Sequence, residues 1–177
     1  QANGMKESDV TLVATGPAPG PFLQGQVDAW CALTTTQATL EKGGQALSVI
    51  RCADYADLPT DVFAMNRRDF ENPAKRDAAM RFLRAVRRGT EMMIKEPAKA
   101  AAVGAKHGLD IRDAAAAQPI IQEFARASQS PATDKLGLGA FDVAAIQKTA
   151  DLYWKSGLIK KQFDVAKYFS NELIGKL

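Results

Sequence analysis

The feature that most constrains the fold is a change in the apolar pattern near residue 66. Before this point, short apolar runs alternate with turn-forming residues, at residues 10–14 (VTLVA), 27–33 (VDAWCAL) and 46–52 (ALSVIRC). Runs of this length and composition are typical of buried β-strands. After residue 72, apolar residues recur at the three- and four-residue spacing of helices. The pattern therefore predicts a sheet in the first third of the chain and helices in the remainder.

Two short helices are predicted between these three strands. Residues 17–25 (PAPGPFLQG) begin with proline and end with glycine, and residues 36–42 precede Gly43-Gly44. The order β-α-β-α-β, with such short connections, predicts a mostly parallel sheet. A fourth extended run at residues 61–66 (DVFAMN) follows it.

The helical part carries clear start and stop signals. Asn72 is predicted to cap a helix that begins at Pro73, and the next helix runs from Pro97 to His107-Gly108. A third helix is expected to bury Ala117, Ile121 and Phe124. The last two are expected to bury Phe141, Ile146, Ala150 and Tyr153, and then Phe163, Ala166, Phe169 and Leu173.

Charge is distributed unevenly along the chain. Residues 1–66 hold three basic and seven acidic residues, a balance of −4, whereas residues 67–112 hold twelve and six, a balance of +6. The arginines at positions 76, 81, 84, 87 and 88 mostly fall off the apolar stripe of their helix, so we expect them to face solvent. No aromatic platform accompanies them, and no nucleic-acid partner is predicted.

The sequence lacks the residue combinations that several classes of functional site require. A single histidine and two separated cysteines cannot form a soft metal site, and Gly137 with Gly139 completes neither phosphate-binding fingerprint, so no metal or cofactor is predicted. No catalytic constellation stands out, and we expect a protein that is not an enzyme. Cys31 and Cys52 lie in apolar runs and are expected to behave as core residues, with a disulfide between them left open.

Four segments, taken in order, carry a resemblance to a known family. They are residues 3–10 (NGMKESDV), 22–30 (FLQGQVDAW), 68–73 (RDFENP) followed by 81–85 (RFLRA), and 153–159 (YWKSGLI). Together they resemble the solute-binding proteins of ABC importers, in the group that includes the sulfonate, taurine, nitrate and thiamine-precursor binders.

The resemblance implies an α/β fold, the type II periplasmic-binding fold, whose two lobes are joined by crossover strands. Residues 1–60 would form part of lobe two, residues 61–66 the return crossover strand, and residues 67–177 the C-terminal helical part of lobe one. The chain would be the C-terminal half of such a protein, located in the periplasm or lipid-anchored outside the cytoplasmic membrane. Its partners would be a small-molecule solute, the membrane permease of the importer and the N-terminal half of the same protein.

The ligand site is expected at the carboxyl ends of the strands, where helix N-termini offer free N–H groups. This rule selects Thr15, Gly16 and Pro17 after the first strand, and Thr34 and Thr35 after the second. Their hydroxyls can donate to sulfonate, carboxylate or nitrate oxygens, although one threonine could instead simply cap the following helix.

Three further residues complete the predicted site. Trp30 could line it or lie in the core, and Asp54 with Tyr55 could face the ligand or form a polar hinge loop. The sulfonate binders carry Trp, Asp and Pro where this chain has Leu33, Thr34 and Thr35, so the solute stays open. Alternatives are binding or synthesis of a thiamine-pyrimidine precursor, and an effector-sensing domain of a regulator.

Overall fold

A computed structural model describes residues 4–16, 18–54, 61–108 and 112–177. The α-helices in these ranges are α1 (Gly20–Leu23), α2 (Thr34–Lys42), α3 (Arg67–Glu71), α4 (Pro73–Lys95), α5 (Pro97–His107), α6 (Ala114–Ala127), α7 (Pro131–Leu136) and α8 (Val143–Lys155). Short 3-10 turns lie at Glu7–Asp9, Cys52–Asp54, Val165–Lys167 and Ile174–Lys176. No helix among the described residues is long and apolar enough to cross a bilayer.

The predicted α/β fold is wrong for this structure. No strand or sheet forms among the residues that the structure describes, and the four apolar runs before residue 66 are irregular or extended without pairing. A strand persists only where a neighbouring strand satisfies its N–H and C=O groups, and these runs lack that neighbour within the described ranges. Their side chains are accordingly open to solvent: Leu12 is 76% exposed, Ile50 79% and Phe63 64%.

The helix boundaries follow the local signals in the sequence. Helix α4 begins at Pro73 with Asn72 as its cap, and α5 begins at Pro97 and ends at His107, as predicted. Helix α2 begins at Thr34, two residues before the predicted start. The division of the chain at residues 60 and 66 stays a prediction.

Replacing Asn72 with alanine should destabilise the fold by about 0.5–2 kcal/mol, the usual cost of losing an N-cap. The Asn72 Oδ1 atom accepts hydrogen bonds from the backbone N–H groups of Ala74 (3.1 Å) and Lys75 (3.2 Å). Urea unfolding followed by circular dichroism measures the loss. Asn72→Asp keeps the acceptor and serves as the matched control; an equal loss in both variants would contradict the capping role.

Helices α4, α5 and α6 contact one another, and α2 packs against α6. The buried residues of α5 and α6 are alanines: Ala100, Ala101, Ala117 and Ala125. Small side chains let the helix backbones approach closely, so little apolar volume is needed at these contacts. The predicted buried face of α6 is right for Ala117 and wrong for Phe124, which is 48% exposed while Ala125 takes the inner position.

A second core joins α8 to the C-terminal segment. Ile146 and Ala150 of α8 are buried with Val165, and Phe141, Val143 and Phe169 pack around them. The Phe141 and Phe169 rings meet edge to face, with centroids 5.1 Å apart. The predicted last helix is wrong, because this segment forms only two 3-10 turns and follows the surface of α8.

Two other expectations from the sequence need correction. Cys31 and Cys52 are exposed free thiols rather than core residues. The basic helix is only partly a solvated face. Arg81 is largely exposed, but Arg76 pairs with Glu172 and Arg84 donates to the carbonyl of Lys176.

Candidate functional site

The residues predicted to bind ligand fall on separate parts of the structure. The Thr15 hydroxyl donates to the carbonyl of its neighbour Gly16 (3.4 Å), and Trp30 is half-buried outside any helix. Asp54 is exposed at the end of the turn Cys52–Asp54. Pro17 and Tyr55 lie outside the described residues.

Thr34 is placed where it reaches another element of the fold. It is the first residue of α2, which packs on α6, and its hydroxyl lies near enough to Glu123 on α6 to lower the pKa of that carboxyl. Thr35 follows on the same first turn and is half-buried. The start of α2 therefore faces a charged group that the sequence patterns did not indicate.

Glu123 is held mainly by an arginine one turn further along α6. Its two carboxylate oxygens accept from the guanidinium of Arg126, with Nε–Oε2 at 2.8 Å and Nη2–Oε1 at 2.5 Å. This fork geometry is the strong, charge-assisted form of a hydrogen bond. The side chain of Glu123 is only 15% exposed, against 55% for Arg126. The carboxylate is thus fixed in place while the guanidinium keeps an open edge.

These neighbours shift the acidity of Glu123. The hydrogen bonds from Arg126 are the main cause that lowers the pKa of the Glu123 carboxyl, and Thr34 and the positive charge of Arg51 act in the same direction. Burial opposes them without cancelling them. Glu123 is therefore ionised at neutral pH, and the pKa of Arg126 is raised in return.

We call the group Thr34, Arg51, Glu123 and Arg126 the α2–α6 polar cluster. Two arginines and one glutamate leave it with an excess of one positive charge. Arg51 is exposed and precedes the turn that contains Asp54, whose N–H donates to the Arg51 carbonyl (3.1 Å). The cluster offers hydroxyl and guanidinium donors to a small anionic or polar group.

Of the four residues in this cluster, only Thr34 was predicted from the sequence. An E-x-x-R spacing on α6 is a common surface ion pair, and nothing in it indicates a neighbour on α2. A metal centre is not indicated, since no group of three His, Cys, Asp or Glu residues is arranged for one within the described part of the chain.

A family model described as NMT1/THI5 like matches residues 1–100. The chain belongs to the NMT1/THI5-like family. The match confirms the resemblance seen in the sequence motifs, and it covers Thr34 and Arg51 of the polar cluster. Comparisons with curated proteins and with solved structures find no match.

Membership of the NMT1/THI5-like family associates the chain with binding of a small-molecule solute or with a thiamine-precursor-related role. The matched region ends inside α5, so Glu123 and Arg126 lie beyond it. The polar cluster therefore combines residues from the matched region with residues from a helix outside it.

Proposed function

We propose that this protein is the solute-binding component of a bacterial ABC importer and captures a small polar or anionic organic molecule. The observation that carries the proposal is the position of the start of α2 against α6, which brings a predicted ligand-binding threonine near Glu123 and its arginine partner. The Thr34 hydroxyl has a single proton, which a sulfonate, carboxylate or nitrate oxygen would accept in place of Glu123, since Glu123 keeps both bonds from Arg126. The excess positive charge would attract the same group.

The chemistry of the cluster supports binding rather than catalysis. Its ionised groups are a glutamate already paired with arginine and guanidinium groups that stay protonated, and neither type exchanges a proton readily near neutral pH. The single histidine, His107, is exposed at the end of α5. We therefore propose a protein that is not an enzyme and acts outside the cytoplasmic membrane, where importers collect their solutes.

The exposed apolar runs support the proposal that other protein segments cover them. Leu12, Ile50 and Phe63 are each more than half exposed, and large contiguous apolar surfaces usually mark contact sites. We propose that a further segment of the same protein covers these runs, and that the complete protein delivers its solute to a membrane permease.

Calorimetric titration of the complete protein, as encoded by its gene, tests this function. Taurine, an alkanesulfonate, nitrate and an aminopyrimidine precursor of thiamine form the panel, with an alcohol of matched length as the uncharged control. We expect saturable one-to-one binding of at least one anionic solute, no binding of the alcohol, and no chemical change in the bound solute.

Other outcomes of this experiment would overturn the proposal in favour of a named alternative. Exclusive binding of the aminopyrimidine, and its conversion to product, would indicate a role in thiamine-precursor synthesis. Affinity for DNA that falls as the salt concentration rises, and that changes when the solute binds, would indicate the effector-sensing domain of a regulator. The family membership on residues 1–100 favours the aminopyrimidine as the second candidate ligand.

A further inference from the structure

The C-terminal segment, residues 163–177, is attached to two different parts of the molecule. We call it the C-terminal strap. Its regular structure consists of two 3-10 turns, Val165–Lys167 and Ile174–Lys176, so its position depends on contacts with its surroundings. The two attachments differ in their chemistry, so salt affects them differently.

The first attachment, to α8 and the residues before it, is apolar and uncharged. Val165 is 1% exposed, and its N–H donates to the side chain of Gln147 on α8 (3.0 Å). Gln147 Nε2 in turn donates to the carbonyl of Phe163 (3.1 Å). The Asn171 side chain bonds both the N–H (2.8 Å) and the carbonyl (2.9 Å) of Phe141. Salt screens such contacts little.

The second attachment, to α3 and α4, is made by three arginines. Arg67 Nη2 donates to the carbonyl of Lys167 (3.0 Å), and Arg84 Nη2 donates to that of Lys176 (3.1 Å). Between them, Arg76 forms an ion pair with Glu172. The side chains of Arg76 and Glu172 are 33% and 48% exposed, so these bonds lie where water and salt compete with them.

The two attachments link groups of helices that otherwise have few contacts. Among the described residues, α4, α5 and α6 contact one another, whereas the main contact of α8 is with the turn Val165–Lys167. The strap also carries Ile174, whose side chain lies against the loop at Gly137 and Gly139. Release of the strap from α4 would loosen α8 from the helical core and uncover this loop.

We propose that the C-terminal strap is a salt-sensitive latch, whose end opens by releasing Arg76 and Arg84 of α4 while its first turn stays packed on α8. The end of the strap around Glu172 and Lys176 moves, and the part around Val165 remains in place. Exposed charge contacts are individually weak, so this opening requires less free energy than unfolding of the α8 core. The latch is independent of the proposed solute and would operate with any ligand.

Amide hydrogen exchange on the full chain tests the latch. The N–H groups of Ile174 and Lys176 bond to carbonyls inside the strap and report on its end, whereas Val165 and Phe169 report on the part that stays on α8. In the double variant Arg76→Gln, Arg84→Gln we expect the first pair to exchange about three to thirty times faster, and the second pair to be unchanged. Raising the salt concentration should have the same selective effect on the unmodified chain.

Two further variants keep the result interpretable. Arg81→Gln removes an exposed arginine whose partner, Asp77, lies on the same helix (3.4 Å), and it should leave all four amides unchanged. Exchanging the charges, Arg76→Glu with Glu172→Arg, should return the exchange of Ile174 and Lys176 toward the original rate. Equal acceleration of all four amides in the double variant, or no response to salt, would overturn the latch.

Discussion

Replacing Ile146 with alanine is expected to lower the free energy of unfolding by about 2–5 kcal/mol, the range for large-to-small changes in a core. Ile146 is 5% exposed, and it packs in the cluster formed with Ala150 and Val165. The truncation leaves a cavity that the surrounding aromatic rings fill only in part. Urea unfolding followed by tryptophan fluorescence is a suitable measurement, because Trp154 lies on the same helix.

Leu158→Ala is the control for this prediction. Leu158 follows α8 and is 69% exposed, so its truncation should change stability by no more than about 0.5 kcal/mol. The comparison also tests the corrected C-terminal structure, since the main partner of Ile146 is the turn at Val165 rather than another helix. Similar small losses in the two variants would show that the α8 core is not formed in solution.

Valine in place of both Thr34 and Thr35 is expected to weaken solute binding by about 1.5–3 kcal/mol for each hydrogen bond lost to a charged ligand group. Valine keeps the shape of threonine and removes the hydroxyl donor. Glu123 keeps both bonds from Arg126 when the neighbouring hydroxyl is removed, so the helices should stay in place. Calorimetric titration of the complete protein with its solute gives the change in affinity.

Thr11→Val, at an exposed threonine outside the polar cluster, is the matched control and should leave affinity unchanged. Circular dichroism of each variant separates loss of binding from loss of structure. If the double variant binds as tightly as the original protein, Thr34 serves only to tie α2 to α6, and the ligand site must be sought around Trp30 and Asp54.

Features that depend on neighbouring residues in the sequence were predictable. Asn72 and Pro73 mark the start of α4 because the side chain and ring act on N–H groups within three residues. The buried face of α8 followed from the spacing of Ile146 and Ala150. The family resemblance also rested on local motifs, and the match over residues 1–100 confirmed it.

Features that depend on distant partners were not predictable in this way. Apolar runs such as residues 46–50 favour strands, but a strand forms only where another strand pairs with it. The segment after Phe163 has helical spacing, yet the bonds of Asn171 to Phe141 hold it in another shape. Similarly, Ala125 rather than Phe124 takes a buried position on α6, which packs against α2, α4 and α5, and the local spacing does not reveal which face these helices cover.

The sequence by itself determined where α4 and α5 begin, the uneven charge and the family, whereas Thr34 as a ligand-binding residue stays a prediction. Only the tertiary structure decided that Thr34 meets Glu123 and Arg126, and that Arg76 and Arg84 bind the C-terminal strap rather than water alone. The physical reason is the separation along the chain over which each interaction acts. Capping and helical periodicity act over a few residues, whereas an ion pair or a hydrogen bond between elements depends on how the helices pack.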